Sequence, residues 1–304
     1  MSSLILHHYA LSPFSEKIRL MLGYAGLSWQ SVSVRELPPR PDLAEMVGGY
    51  RKIPVAQIGA DLFCDTRTIA TEIARLSGRP ELALENNPRE VQDFVSEVDL
   101  EIFLACLVSS SGSRMLGKLI KSTSLIESMR FLRDRVQMGR KAKVQALGPK
   151  ASRARVQEHL ARMERMLEKD FLFGEQPCNA DFAAFHSLWY VCDLAEKPVT
   201  ESYPRVHHWM QRMRGFGHGN SREITAEEAL EIARDSEPRV IESRKGESLM
   251  GQPVSIAPAD YGRTPVTGLL VGGDAQSRII SRESDRCGLV HVHLPREGFS
   301  IRAQ

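Results

Sequence analysis

The sequence has no closely spaced cysteine pair. Its five cysteines, Cys64, Cys106, Cys178, Cys192 and Cys287, are scattered, odd in number and form no CxxC. A reduced, cytoplasmic setting fits them best. Long apolar runs are also missing. None approaches the roughly 20 residues that span a bilayer, so no membrane partner is expected. The opening residues carry no basic segment followed by a long apolar stretch, so the expectation is a chain without a secretory signal. The net charge is only +2, which excludes a strong field for a polyanionic partner. Residues 114–169 are rich in cations, including Arg114, Arg130, Arg133, Arg135, Arg140, Lys141 and Lys143. Aromatics are nearly absent there and acidic residues interrupt the run. It therefore reads as a solvated helical face, and a nucleic-acid partner is not expected.

What remains is a globular composition, 42% hydrophobic and 26% charged, in a chain long enough for two or three domains. The first eighty residues alternate strand and helix signals. Residues 4–9 read as a buried strand. Residues 14–25 read as a helix with the stripe Phe14, Ile18, Met21, Leu22 and Ala25, ended by Gly26. Residues 31–34 form a second strand, and a Pro-rich loop at 37–41 leads to a short helix at 42–47. Residues 55–58 and 62–64 are two strands across the turn Gly59-Ala60-Asp61. A helix follows at 66–76. The order βαβ then ββα is thioredoxin-like.

Residues 88–216 read as helical throughout. Pro88 opens a helix, a second covers 151–169, 181–194 is a central buried helix, and Tyr203-Pro204 opens a last one. Gly215, Gly217 and Gly219 suggest a flexible exit. Thr225-Ala226-Glu227-Glu228 is a capping box for a further helix. From residue 251 the signals become strands at 254–256, 266–271, 278–281, 289–294 and 299–301, punctuated by glycines. The expected organisation is 1–80 thioredoxin-like, 88–216 all-helical, 217–250 a helical linker, and 251–304 a small β-barrel-like extension.

Three segments carry the chemistry. Ser12-Pro13-Phe14-Ser15 sits at a strand-to-helix turn. Free N–H groups and the helix dipole favour an anion there, and a hydroxyl can donate to a thiolate. A thiol with a pKa near 8.5 needs roughly 2.7 kcal/mol of preferential anion stabilisation to fall by two units. One charge-assisted hydrogen bond plus a helix N-terminus is of that order. Ser12 would activate a bound sulfur without attacking; the plain alternative is that Ser12 or Ser15 only caps the helix. Lys52-Ile53-Pro54-Val55 lies at a loop-to-strand junction. A cis Pro54 would leave the Ile53 backbone facing a peptide ligand, and a trans Pro54 would be an ordinary strand start. In Cys64-Asp65-Thr66-Arg67, Thr66 and the first helical amides suit a carboxylate and Asp65 an amine, or the pair is simply an N-cap. Cys64 reads as a buried strand residue whose neighbouring Asp65 disfavours a thiolate. His291 and His293 share a strand face. Without a third ligand they read as hydrogen-bonded side chains, and no metal is expected.

In this order and spacing the segments resemble the glutathione S-transferase family, over residues 1–80 and 88–216. Cys178-Asn179-Ala180-Asp181 resembles the family's central-helix start, with Cys178 where Ser or Thr is usual and Asp181 as a structural cap. Tyr203-Pro204-Arg205 followed by Trp209 resembles its closing helix. The resemblance implies glutathione as co-substrate, Ser12 as the catalytic serine and Ser15 as a secondary position. With no cysteine at either place, a dithiol mechanism is excluded. It further implies Ile53 and Pro54 as backbone clamp, Asp65 and Thr66 as the γ-glutamyl site, and Lys52 or Arg40 reaching the glycine carboxylate. A small electrophile and a second copy in a homodimer are the implied partners, and detoxification the implied role. The basic run would then also serve as a rim attracting anionic conjugates. The sequence looks most like a bacterial branch with an extra C-terminal segment, here carrying Asp260-Tyr261-Gly262-Arg263 and His291-Val292-His293. A non-catalytic binding or regulatory module and a glutathione-dependent isomerase stay open beside the transferase.

Overall fold

A computed structural model describes residues 3–112, 117–118, 120–121, 126–131, 133–134, 147–241, 248–260 and 262–304. Arg114, Arg135, Arg140, Lys141, Lys143 and Tyr261 lie outside the described residues. The chain divides into two compact units, one of residues 1–15, 26–72 and 219–304, the other of residues 16–25 and 73–218.

The N-terminal elements are β1 (Leu4–His8), α1 (Pro13–Ala25), β2 (Ser28–Ser33), α2 (Pro41–Val47), β3 (Val55–Ile58), β4 (Asp61–Cys64) and α3 (Thr66–Ser77). β1 pairs parallel with β2 and antiparallel with β3, and β3 pairs antiparallel with β4. This is the thioredoxin-like pattern. The apolar content of β1 and β4 follows from burial: Ile5, Leu6 and Leu62 have no exposed surface.

The helical unit contains α4 (Arg89–Glu97), α5 (Phe103–Ser109), α6 (Pro149–Met166), α7 (Asn179–Trp189) and α8 (Pro204–Arg214). The single helix expected from Pro88 is interrupted by a π turn at Val98–Ile102, and α7 ends in a second at Tyr190–Leu194. Helix α7 is buried from Asn179 to Leu188, which explains why apolar residues (Ala180, Phe182, Ala183, Ala184, Phe185, Leu188) lie all round it, with Asn179, Asp181, His186 and Ser187 buried among them. Asp181 accepts N–H bonds from Cys178 and Leu172, both at 3.0 Å, and from the Trp209 indole at 2.9 Å. Cys178 stands at the cap and the capping box is intact, so the departure from Ser or Thr has not removed it.

The tail contains β5 (Asn220–Glu223), α9 (Ala226–Arg234), β6 (Pro253–Pro258), β7 (Val266–Gly273), β8 (Ser277–Ser284), β9 (Gly288–Pro295) and β10 (Phe299–Ala303). The Gly-rich exit thus leads into a strand, β5, paired parallel with β2. The Thr225 box starts α9, with Glu228 N–H donating to Thr225 and Thr225 N–H to Glu228. All five C-terminal strands lie where the alternation puts them. They do not stand alone, however. β9 pairs parallel with β4, giving one ten-stranded sheet in the order β10-β6-β7-β8-β9-β4-β3-β1-β2-β5.

Four strand spacings separate β9 from β10 in that order, about 19 Å if flat. Only residues 296–298 join them, a reach of about 14 Å. The strip must therefore curl. It bends toward a barrel without closing, because β9 pairs with β4 and β10 with β6. The inner face is shared: Leu43, Met46 and Val47 of α2 and Leu62 of β4 form one apolar cluster with Leu230, Val254, Ile256, Leu270, Ile280 and Val292. The separate extension expected at 251–304 is thus continuous with the N-terminal sheet.

Candidate active site

The strand register gathers the three sequence segments. His7 of β1 lies opposite Val55 of β3, and Val55 opposite Cys64 of β4. β1 and β4 run one way and β3 the other. The exit of β1 toward Ser12, the entry of β3 from Pro54 and the exit of β4 into Asp65-Thr66 therefore share one end of the sheet.

Ser12 caps α1. Its hydroxyl oxygen accepts the Ser15 N–H at 3.2 Å, which leaves its proton free to donate to an anion. The side chain is nearly buried, at 2% exposure. The Ser15 hydroxyl is buried and makes no hydrogen bond among the described residues. Capping and thiolate stabilisation are thus compatible roles for one hydroxyl, because the first uses its lone pair and the second its proton.

The Ile53–Pro54 bond is cis. Ile53 is half-buried and Pro54 buried. Asp65 adopts φ 83°, a left-handed conformation that Asp tolerates better than most residues. Its carboxylate accepts the Arg67 N–H at 3.1 Å, and Thr68 Oγ1 donates to the Cys64 carbonyl at 2.8 Å. Thr66 is the first residue of α3. Burial, aided by Asp65, pushes the Cys64 thiol well above its ordinary value, so Cys64 is no thiolate.

The two cations implied for a glycine carboxylate are otherwise engaged. The Arg40 guanidinium donates to the carbonyls of Arg35 (2.7 Å), Glu36 (2.9 Å) and Arg51 (2.8 Å), and so staples the Pro-rich loop. Lys52 Nζ donates to both carboxylate oxygens of Asp260, at 2.8 and 2.9 Å. Arg67, in the first turn of α3, pairs with Glu297 at 2.8 Å. Asp260 and Glu297 belong to the C-terminal strip, and the sequence reading did not place them here. Their one sequence signal is the run Asp260-Tyr261-Gly262-Arg263.

The strip is fastened by a polar seam. Asp61 Oδ1 lies 2.7 Å from His293 Nε2, and Asp61 Oδ2 accepts the Arg239 N–H at 3.0 Å. Arg239 also reaches Glu72 at 2.6 Å. Burial of Asp61 works to raise its carboxyl, but the His293 and Arg239 contacts outweigh it and hold the group below its ordinary value. His293 stacks on Phe63 with ring centroids 4.5 Å apart. Among the described residues, no three His, Cys, Asp or Glu side chains are placed to hold a metal ion, and no helix is long and apolar enough to cross a membrane.

Residues 6–81 match the family model for the glutathione S-transferase N-terminal domain, and residues 128–215 that for its C-terminal domain. A solved structure of a GST-like protein from Pseudomonas syringae is 32% identical, with all of both chains covered and a TM-score of 0.75. The chain belongs to the glutathione S-transferase family. A glutathione S-transferase from Rhodospirillum rubrum F11 is 20% identical over 69% of this chain and 87% of its own, with a TM-score of 0.52. That likeness speaks for the fold alone. No curated protein matches the sequence. Because the Pseudomonas syringae protein is matched along its full length, the comparison spans the C-terminal strip as well as the two family domains.

Proposed function

We propose that the chain is a serine-type glutathione transferase, in which Ser12 donates a hydrogen bond to the glutathione thiolate during its attack on a small electrophile. The observation that carries this reading is the shared sheet end: the Ser12 cap, the Ile53–Pro54 junction and the Asp65-Thr66 helix start all leave the row His7, Val55, Cys64. Ile53 would pair with the cysteinyl backbone. Asp65 and the first amides of α3 would hold the γ-glutamyl amine and carboxylate. Ser12 then faces the sulfur as the thiolate's charge is held at the start of α1. The sulfur forms the new bond, the electrophile's leaving group departs, and the thiol proton goes to solvent. A cytoplasmic homodimer is the matching physical setting.

The engagement of Lys52 by Asp260 favours a second reading, a binding module of the same fold that turns nothing over. Ser12→Ala separates the two. Loss of a hydrogen bond to a charged sulfur is worth about 1.5–3 kcal/mol, so turnover should fall by roughly 10- to 150-fold with glutathione affinity nearly kept. Unchanged turnover would remove Ser12 from the chemistry. Glutathione binding without turnover toward a broad electrophile set would favour the module. Asp65→Asn is the companion variant for binding, since Asn accepts the left-handed backbone that Ala resists.

A further inference from the structure

The end of the sheet that carries Ser12, Pro54 and Asp65 also receives the C-terminal strip. β9 runs parallel to β4, so Glu297 leaves the same end as Asp65. The turn at 296–298 starts β10 there, and β6, antiparallel to β10, delivers Asp260 to it. Both carboxylates find cations that adjoin the proposed ligand segments: Lys52, next to Ile53, and Arg67, next to Asp65-Thr66.

The two contacts are unequal. The Glu297 side chain is 70% exposed, so its bridge is weak. Lys52 keeps only 13% of its side-chain surface and reaches both Asp260 oxygens. Its Nζ lies 5.8 Å from the Phe299 ring centroid, and Phe299 stacks on Tyr50 at 6.5 Å. Gly262, at φ +63°, brings its backbone against the lysine stem: a Cβ there would sit 3.6 Å from Lys52 Cγ. Lys52 is thus seated, and its charge is matched within the protein.

We infer that Asp260 makes the site selective for thiol peptides whose far end is uncharged. This rests on the glutathione reading proposed above and narrows it. With the middle residue of an extended tripeptide paired to Ile53, the third residue lies about 3.5 Å further along the chain, within reach of a lysine one position away. An incoming carboxylate would have to displace Asp260 or sit beside it. Displacement leaves one carboxylate without its cation, and sharing places two like charges together. An amide at that end meets neither penalty.

The test is calorimetric titration of glutathione and its glycine amide into the full chain and into Asp260→Asn, with Glu297→Gln as a charge-matched control and circular dichroism as the check on folding. The wild-type protein should bind the amide about tenfold more tightly than the acid, a gap of 1.4 kcal/mol. Asp260→Asn should close that gap by strengthening the acid, with the amide unchanged; Glu297→Gln should leave the gap in place. Equal or tighter binding of the acid to the wild type, unaltered by Asp260→Asn, overturns the selectivity while glutathione binding stands. Silence from both peptides on the folded wild type and variant overturns the glutathione reading and the inference with it.

Discussion

Asp181→Asn should destabilise the helical unit by about 2–4 kcal/mol, and the hydrogen-bond geometry shows why. The carboxylate receives three N–H groups and the Cys178 thiol besides: Oδ1 takes the Leu172 and Trp209 N–H, and Oδ2 takes the Cys178 N–H. Asparagine keeps the volume but has one carbonyl oxygen. Its best rotamer keeps the two bonds at Oδ1 and turns an NH2 toward the Cys178 N–H. One buried donor is then orphaned, at about 1–3 kcal/mol, and two bonds change from charged to neutral acceptors, at about 1 kcal/mol each. Part of this returns, because burial holds the Asp181 carboxyl above its ordinary value against the pull of its donors, and Asn removes that buried charge. Urea unfolding followed by tryptophan fluorescence reads the difference. Trp209→Phe in the same background should fall short of additivity by about 1 kcal/mol, since the bond it removes is already the weaker one to a neutral acceptor. A loss below about 1 kcal/mol would refute the view that this carboxylate is the acceptor that fastens α7 and Trp209.

Two further outcomes follow from the electrostatics. Asp61 has its folded pKa depressed below 3.8, so its contribution is present above the unfolded value and is lost as pH falls through the folded one. Asp61→Asn should flatten the wild-type loss of stability in that acid window, measured by thermal unfolding from pH 5 down to 2; an unchanged profile would disprove the seam's part in it. Burial pushes Cys178 up to about 12 and Cys192 up to about 11, and raises Cys64 and Cys106 as well. These four thiols should resist an aromatic disulfide reagent in the native protein at pH 8 and react after denaturation; rapid native labelling of any of them, mapped by mass spectrometry, contradicts the burial argument.

Local signals carried the elements. The αβ alternation, the Thr225 box and the period-2 strands after residue 251 were all legible because each depends on nearest neighbours in the chain. The candidate site was legible as three segments for the same reason. What could not be read was pairing across the chain. Nothing in Asp61-Leu62-Phe63 says that its partner is His291-Val292-His293, since a buried parallel strand looks alike whichever neighbour it takes. The carboxylates of Asp260 and Glu297 were invisible as site residues for that reason. β5 was missed because Asn220-Ser221-Arg222-Glu223 is exposed and polar throughout, an edge strand without the apolar alternation that marks the others.

The β4–β9 pairing also sets when the protein can finish folding. The seam contact between Asp61 and His293 spans 232 residues of chain. During synthesis β4 therefore remains an open edge, with Leu62 and the α2 side chains Leu43, Met46 and Val47 short of their later cover, until β9 has been made. Closing so long a loop is slow, and an unpaired apolar edge is a template for pairing with other chains. The β4 edge thus leaves the ribosome long before β9, the strand that completes it. A chain ending near residue 218 would keep both family-matched segments and still expose that edge, so its expected fate is association with other nascent or truncated copies.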